Sequence, residues 1–155
     1  MKKVNNNSFK KAMSKFSTGL TVISINSKDR YIGKTVNSFA SLSLKPKLIL
    51  FALDVKSSSL DEFQKSRFIG INILSNKQKK ISKYFSKKKV TWGKFSTILS
   101  KNKVPLIDNA IVNLECKKIK TYKSGDHIIF ICKVENLNII DNLKPLIYYN
   151  NKYLI

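Results

Sequence analysis

Gly33-Lys34-Thr35-Val36-Asn37-Ser38-Phe39-Ala40-Ser41-Leu42-Ser43-Leu44-Lys45-Pro46 is the most unusual stretch of this 155-residue chain, and it runs straight into Lys47-Leu48-Ile49-Leu50-Phe51-Ala52-Leu53. Small hydroxyl and amide residues recur in it at near-alternate positions, beside a segment that reads as a strand. Such a segment offers side-chain donors together with exposed backbone N–H groups, a set that suits a planar ring edged with carbonyl oxygens and an N–H. A Ser/Thr-rich edge strand and loop with no ligand gives the same pattern. Residues 47–53, bounded by Pro46 and Asp54, form a short apolar run of the kind expected of a strand buried on both faces.

Outward from this stretch, strands dominate. Phe9, Ala12, Met13 and Phe16 are spaced as one face of a short helix, with Ser8 as N-cap and Gly19 as its stop. Residues 20–25 alternate as a strand, with Leu20, Val22 and Ser24 on one side and Thr21, Ile23 and Ile25 on the other. A turn at 26–29 leads to a second strand over about 30–39. Residues 60–65 read as a short helix, 67–74 as an apolar strand, and 76–86 as a helix with Ile81, Tyr84 and Phe85 on one face and lysines on the other. Residues 92–105 are the least regular. Strands over 110–122 and 127–136 flank Lys123-Ser124-Gly125-Asp126, a hairpin signal, and 145–149 reads as a last short strand. About seven strands, two or three helices and no βαβ rhythm predict a mainly β protein, a closed or split antiparallel barrel with peripheral helices.

The length suits one domain spanning residues 1–155, able to bury roughly 70% of the surface of its unfolded chain. No run of about 18 apolar residues is present to span a bilayer, and Val4-Asn5-Asn6-Asn7 cannot serve as the apolar part of a signal peptide, so a cytoplasmic location is expected. Cys116 and Cys132 read as core thiols, and with one histidine no structural metal site is expected. The net charge is +21, which raises nucleic acid as a partner. Against that, arginine stands only at positions 30 and 67, so 28 of the 30 basic residues are lysine, and they are scattered. With Asn and Ile also abundant, this is the composition of A/T-rich codons. A specific nucleic-acid site favours arginine, whose planar fork reads base edges and phosphates. The field still attracts anionic ligands. There is no G-x-G-x-x-G, Walker loop or G-x-S-x-G, and no close carboxylate pair, which disfavours Rossmann, P-loop and hydrolase chemistry.

The stretch 33–46 resembles the signature of the short-chain flavin reductases, the FMN-binding split-barrel family. Its pattern is a Gly, then Thr-x-Asn/Ser-Ser, then Ser-x-Ser-x-x-Pro before an apolar strand. Four further blocks agree in order. Phe16-Ser17-Thr18-Gly19-Leu20-Thr21-Val22-Ile23 resembles the family's opening strand, and Phe68-Ile69-Gly70-Ile71-Asn72-Ile73-Leu74 its Phe-x-Val-Asn-x-Leu segment. Gly125-Asp126-His127 resembles its Gly-Asp-His hairpin, and Pro145-Leu146-Ile147-Tyr148-Tyr149 with Tyr153 its ending.

The resemblance implies a flavin reductase that uses NADH or NADPH to reduce FMN or FAD, a homodimer with the flavin between subunits, and in many members a partner monooxygenase that receives the reduced flavin. Thr35, Val36, Asn37 and Ser38 would line the flavin ring, with Ser41 close by. Ser57, Ser58 and Ser59 would hold its phosphate at a helix N-terminus; a plain serine N-cap before Leu60 is the structural alternative. Where many members carry an Asp-Arg-Phe-like segment this chain has Phe85-Ser86-Lys87-Lys88-Lys89-Val90-Thr91-Trp92, which makes Lys89 the substitute for the missing arginine. His127 falls where the nicotinamide approaches the flavin, and Cys132 stands where the family often has Gly. Tyr148 and Tyr153 suit barrel packing or ligand contact equally. Two other readings are a flavin-binding protein without turnover and a basic nucleic-acid-binding β-barrel, the latter at odds with aromatics that sit in apolar positions.

Overall fold

The computed structural model describes residues 1, 3–28, 30–88 and 90–154. In chain order the elements are α1 (Asn6–Met13), β1 (Thr18–Gly19), β2 (Thr21–Ser27), β3 (Arg30–Val36), β4 (Ala40–Leu44), β5 (Lys47–Asp54), α2 (Leu60–Lys65), β6 (Phe68–Ile73), a 3₁₀ turn (Asn76–Gln78), α3 (Lys79–Phe85), β7 (Thr97–Leu99), β8 (Pro105–Ile107), β9 (Val112–Ser124), β10 (His127–Ile139), β11 (Ile147–Tyr149) and β12 (Lys152–Leu154).

Seven strands form one sheet in the order β3-β2-β6-β9-β10-β5-β4, every pairing antiparallel. Its spine is the β9–β10 hairpin, 13 residues a side. The hairpin turns through Gly125 at φ +59°, a left-handed conformation that costs a Cβ-bearing residue. Two register shifts in the β9–β10 ladder, one leaving Ile119 of β9 unpaired between Ile131 and Cys132 and one leaving Glu135 of β10 unpaired between Val134 and Asn136, coil this ribbon, because a bulge bends a strand and adds twist. The sheet therefore curls on itself. Ile32 and Val36 of β3 meet Ile49, Phe51 and Leu53 of β5 in one core with Ile23, Ile71, Leu114 and Phe130. Phe51 and Phe130 stack there at 4.8 Å. Curling brings the two edges, β3 and β4, to one side, yet they do not pair with each other. The fold is an antiparallel split barrel with peripheral helices, as expected from the sequence.

A second core of Leu20, Val22, Leu74, Phe85, Ile107 and Leu146 lies outside the barrel wall under α3, with Tyr84, Trp92, Phe95, Tyr148 and Tyr153 packed on it. This layer explains two departures. β2 is buried on both faces, giving Ile23 and Ile25 to the barrel and Val22 to the outer core. β5, expected to be so, instead alternates: Ile49, Phe51 and Leu53 are buried, while Leu48, Leu50 and Ala52 on its outer face are only half-covered. The irregular stretch 92–105 contains β7 and leads into β8, hung over β2 and β6 by buried polar side chains. Ser24 Oγ donates to the Pro105 carbonyl at 2.5 Å, and Asn72 Oδ1 accepts the Ile107 N–H at 2.8 Å. Both cysteines are buried free thiols.

The helix α1 also differs. Asn5, not Ser8, is its N-cap, and Ser8 completes a capping box with it. The residues whose spacing announces the helix, Phe9, Met13 and Phe16, are exposed at 57%, 51% and 71%. Gly19 pairs with Ile147 in β1–β11 rather than stopping the helix. The strand expected to reach residue 39 ends at Val36, because Ser38 is engaged elsewhere.

Candidate functional site at the seam of the barrel

β4 pairs with β5 only over Lys47, Leu48, Ile49 and Leu50. The rest of β5 has no strand on that side, and an unpaired edge leaves N–H and C=O groups without partners. Ser38 supplies them for Ala52. Its Oγ accepts the Ala52 N–H at 2.9 Å and donates to the Ala52 carbonyl at 3.0 Å. This clip holds the β3–β4 crossover across the seam. Beneath it lies a cleft of about 640 Å³, lined among others by Thr35, Val36, Asn37, Ser38, Ser57, Ser58 and His127.

Each wall has a local cause. Val36 and Leu53 are buried core residues that also line the cleft and so give it an apolar floor. Thr35 Oγ1 donates to the Ser82 carbonyl at 2.7 Å, so its side chain is committed to holding α3. After β5 the chain is organised by Asp54: its Oδ1 accepts the Lys56 N–H at 2.7 Å and its carbonyl accepts the Ser57 N–H at 2.9 Å. The Val55 N–H donates to the Asp126 carbonyl at 2.9 Å, tying this loop to the β9–β10 turn. Ser58 Oγ donates to the Lys88 carbonyl at 2.5 Å, and Lys34 Nζ to the Lys87 carbonyl at 2.8 Å. Lys34, Lys56 and Lys88 all line the cleft. Partial burial holds the Lys34 ammonium below the usual lysine range.

The expectation of a helix-dipole anion site meets a short α2 of six residues with Asp61 and Glu62 in its first turn. Those carboxylates already answer the dipole, so positive charge here comes from the lysines. Ser59 is the N-cap residue but its side chain makes no capping bond, and it lines the neighbouring trough instead. Ser41 lies exposed on β4 opposite Ile49 and lines neither depression. Lys89 lies outside the described residues.

His127 opens β10 opposite Asp54, and its Nδ1 donates to Asp126 Oδ1 at 2.8 Å. That hydrogen bond, with the coulombic attraction of the ring, holds the Asp126 carboxyl below its ordinary range. Tyr148 and Tyr153 pack edge to face at 5.4 Å on the outer core and line neither depression. Sequence reasoning missed Lys34, Ala52, Leu53, Asp54 and Lys88 as lining residues. Lys34 had a signal: it stands inside the hydroxyl-rich stretch itself.

Among the described residues no cluster of His, Cys, Asp and Glu could hold a metal ion, and no helix is long and apolar enough to cross a membrane. The seam of this split barrel is thus an apolar-floored cleft lined by lysines and hydroxyls, a donor set of the kind that suits an anionic, ring-bearing ligand. The domain model described as "Flavin reductase like domain" matches residues 13–154, and the chain belongs to that family. It is 32% identical over 130 residues to the FMN reductase (NADH) SmoA of Agrobacterium fabrum, covering 84% of this chain and 75% of that one. It is 32% identical over 150 residues to HsaB, the reductase subunit of a flavin-dependent monooxygenase of Mycobacterium tuberculosis, covering 94% of this chain and 79% of that one. Among solved structures, the flavin reductase PheA2 superposes with a TM-score of 0.91 at 32% identity, covering 97% of both chains.

Proposed function

We propose that this chain binds FMN or FAD in the seam cleft, reduces it with NADH and supplies reduced flavin to a partner monooxygenase. The observation that carries the reading is the donor set of the cleft. Three lysines and the hydroxyls of Ser57 and Ser58 suit a phosphate, and the floor of Val36, Ala52 and Leu53 suits a flat apolar ring. The segment 35–38, held over the seam by Ser38, brings backbone polar groups to the ring edge that carries carbonyl oxygens and an N–H. The bound flavin supplies the chemistry, accepting a hydride from the nicotinamide.

The residues of the chain bind, orient and shield. His127, half-buried and steadied by Asp126, stands at the cleft on the hairpin side and orients the incoming nicotinamide. It need not move a proton, because hydride transfer between stacked rings depends on distance and alignment. NADH is favoured over NADPH, because the one arginine near the site, Arg30, is already paired with Glu62 at 2.8 Å.

The working form is a homodimer with two-fold symmetry. Leu42 and Leu44 on β4 are exposed at 47% and 85%, Leu48 and Leu50 beside them are half-covered, and the apolar face of α1 is bare. An isologous interface covers surfaces of this kind. Nicotinamide nucleotides are cytoplasmic metabolites and the unpaired thiols suit a reducing compartment, so the site of action is the cytoplasm.

The test is NADH oxidation by the purified protein at moderate salt, with and without FMN or FAD. Flavin-dependent loss of NADH absorbance is expected. His127→Ala should raise KM for NADH while leaving the flavin Kd within about twofold of wild type. Flavin binding without turnover would instead mean a non-catalytic flavin carrier, and neither binding nor turnover would sink the reading.

A further inference from the structure

From Phe63 to Ile107 the chain runs for 45 residues without an aspartate or glutamate, and it carries eleven lysines and Arg67 there. The fold gathers part of this charge on α3. Lys79 and Lys83 stand one turn apart, and Lys87 follows a further turn on, just past the Ser86 C-cap. The ammonium groups of Lys79 and Lys83 lie 5.6 Å and 5.8 Å from the centroid of one ring, that of Tyr153. That of Lys87 lies 5.8 Å from the centroid of Tyr84, and Lys80 is exposed beside them. We propose that this ridge docks an acidic face of the protein that takes up the reduced flavin. The partner's charge is inferred from the ridge alone, and its role rests on the flavin reading of the seam cleft.

The ridge works against the helix that bears it. Like charges one turn apart destabilise a helix, and cations at its start oppose the dipole. Yet α3 opens on Lys79-Lys80 with no acidic residue in its first turn. Among the described residues no ion pair includes a lysine of α3. Codons rich in A and T raise the lysine content, but they do not brace ammonium groups on tyrosine faces along one line. A ligand of opposite charge relieves the repulsion, and the surroundings select its class. A second copy carries the same +21 charge and is repelled. A bilayer surface takes up apolar side chains, and among the described residues none of the exposed large apolar ones lies between Val55 and Ile98. Phosphate backbones favour the arginine fork, and the ridge is built of lysine alone. An acidic protein face fits, because complementary potentials steer two proteins together quickly.

Position gives the docking its use. Lys87 and Lys88, at the end of the ridge, line a trough beside the seam cleft, and Lys88 lines the cleft itself. A partner held on α3 therefore stands beside the opening of the flavin site. Transient, charge-led contacts between redox proteins are small, and two turns of helix suffice for one.

The full-length protein is titrated with a fluorescently labelled oligoglutamate, the simplest acidic peptide, at about 0.15 M salt, where loose surface attraction is screened. The double variant Lys80→Glu, Lys83→Glu reverses the ridge. Its control, Lys101→Glu with Lys120→Glu, changes the net charge equally at exposed positions on other elements. None of the four residues lines the cleft. FMN binding, DNA-duplex binding and the urea midpoint are measured on the same proteins.

Oligoglutamate should bind the ridge variant about tenfold more weakly than wild type and the control within about twofold, and saturating FMN should leave it bound. DNA should weaken alike in both variants, because counterion release counts charges rather than places. The ridge variant should unfold at the same urea concentration as wild type or a higher one, since its new carboxylates suit the dipole and meet Lys79 and Lys87 one turn away. The proposal is overturned if both variants lose oligoglutamate equally, which is the work of the general field. It is also overturned if FMN displaces the peptide, if DNA binding is lost in the ridge variant alone, or if that variant is the less stable protein. Failure of FMN to bind, with oligoglutamate still dependent on the ridge, sinks the flavin reading and leaves the acidic docking surface standing.

Discussion

Replacing Gly33 with alanine tests how tightly the outer core and the cleft are coupled. A Cβ built at Gly33 falls 2.6 Å from Cε1 and 2.7 Å from Cδ1 of Phe85, where carbon atoms ordinarily sit about 3.5–4.0 Å apart. The ring would have to retreat by about 1 Å. It has nowhere to go. Phe85 is fully buried, with Tyr84 at 5.3 Å, Trp92 at 5.1 Å and Phe95 at 5.5 Å between ring centroids. Overpacking of this kind costs about 1–3 kcal/mol, and the rigidity of the surroundings places Gly33→Ala in the upper half of that range. For a domain of this size the loss lowers Tm by about 4–12 °C.

The same shift reaches the site. α3 and the residues after it accept hydrogen bonds from Thr35 and Lys34, so displacing Phe85 should also weaken flavin binding. The assay is urea denaturation of wild type, Gly33→Ala, Phe85→Leu and the double variant. A smaller ring partner should relieve the clash, giving a favourable coupling of about 1 kcal/mol or more between the two changes. Strict additivity, or a Gly33→Ala protein within about 0.5 kcal/mol of wild type, would refute the reasoning.

Three other outcomes are expected. Ser38→Ala removes both bonds to Ala52; stability should fall by about 1–2 kcal/mol in urea melts, and flavin Kd should weaken several-fold by fluorescence titration. Glu115, 2% exposed, is pushed up by burial, but hydrogen bonds from the Ser100 hydroxyl, the Asn102 N–H and the Asn136 amide outweigh that and leave its pKa lowered. Its contribution to stability is therefore complete above the unfolded carboxylate pKa and lost as pH falls through the lower folded one. The urea-midpoint gap between wild type and Glu115→Gln should accordingly be full at pH 7 and shrink towards pH 3; a gap that does not change with pH contradicts the assignment. Burial pushes the Cys116 thiol up and the Cys132 thiol up to about 12, so an aromatic disulfide reagent should react with neither thiol until denaturant is added, and rapid reaction of the native protein would show that the core is open.

How far the sequence carried depended on the range of the interaction. The Gly125-Asp126 hairpin, the six-residue α2 and the face of α3 formed by Ile81, Tyr84 and Phe85 are written in local residue chemistry, and all three stand as read. Of the residues that the family resemblance implied, Thr35, Val36, Asn37, Ser38, Ser57, Ser58 and His127 line one cleft although up to 92 positions separate them. What could not be read was which side of an apolar strand a neighbour would cover. β2 mixes polar and apolar residues while 48–53 is apolar throughout, yet it is β2 that the outer core covers on its second face. Nor could the sequence show that Thr35 would turn its hydroxyl to α3, that Ser38 would spend its own on Ala52, or that Ser41 would face away from the cleft. Those choices are made by distant backbone, and no spacing records them.

A conventional barrel is finished by its last ladder, with every edge amide matched. This one is left one rung short, and a single hydroxyl bridges the gap like a stitch. Beyond the last rung of β4, the outward N–H and carbonyl of Ala52 therefore depend on that one side chain rather than on a neighbouring strand. A guest that lies along the gap takes the place of the missing rung. Such a guest should act as a structural member: amide exchange at residues 37–38, beyond the end of β3, should slow sharply on binding, while the β9–β10 spine exchanges at the same rate in both states.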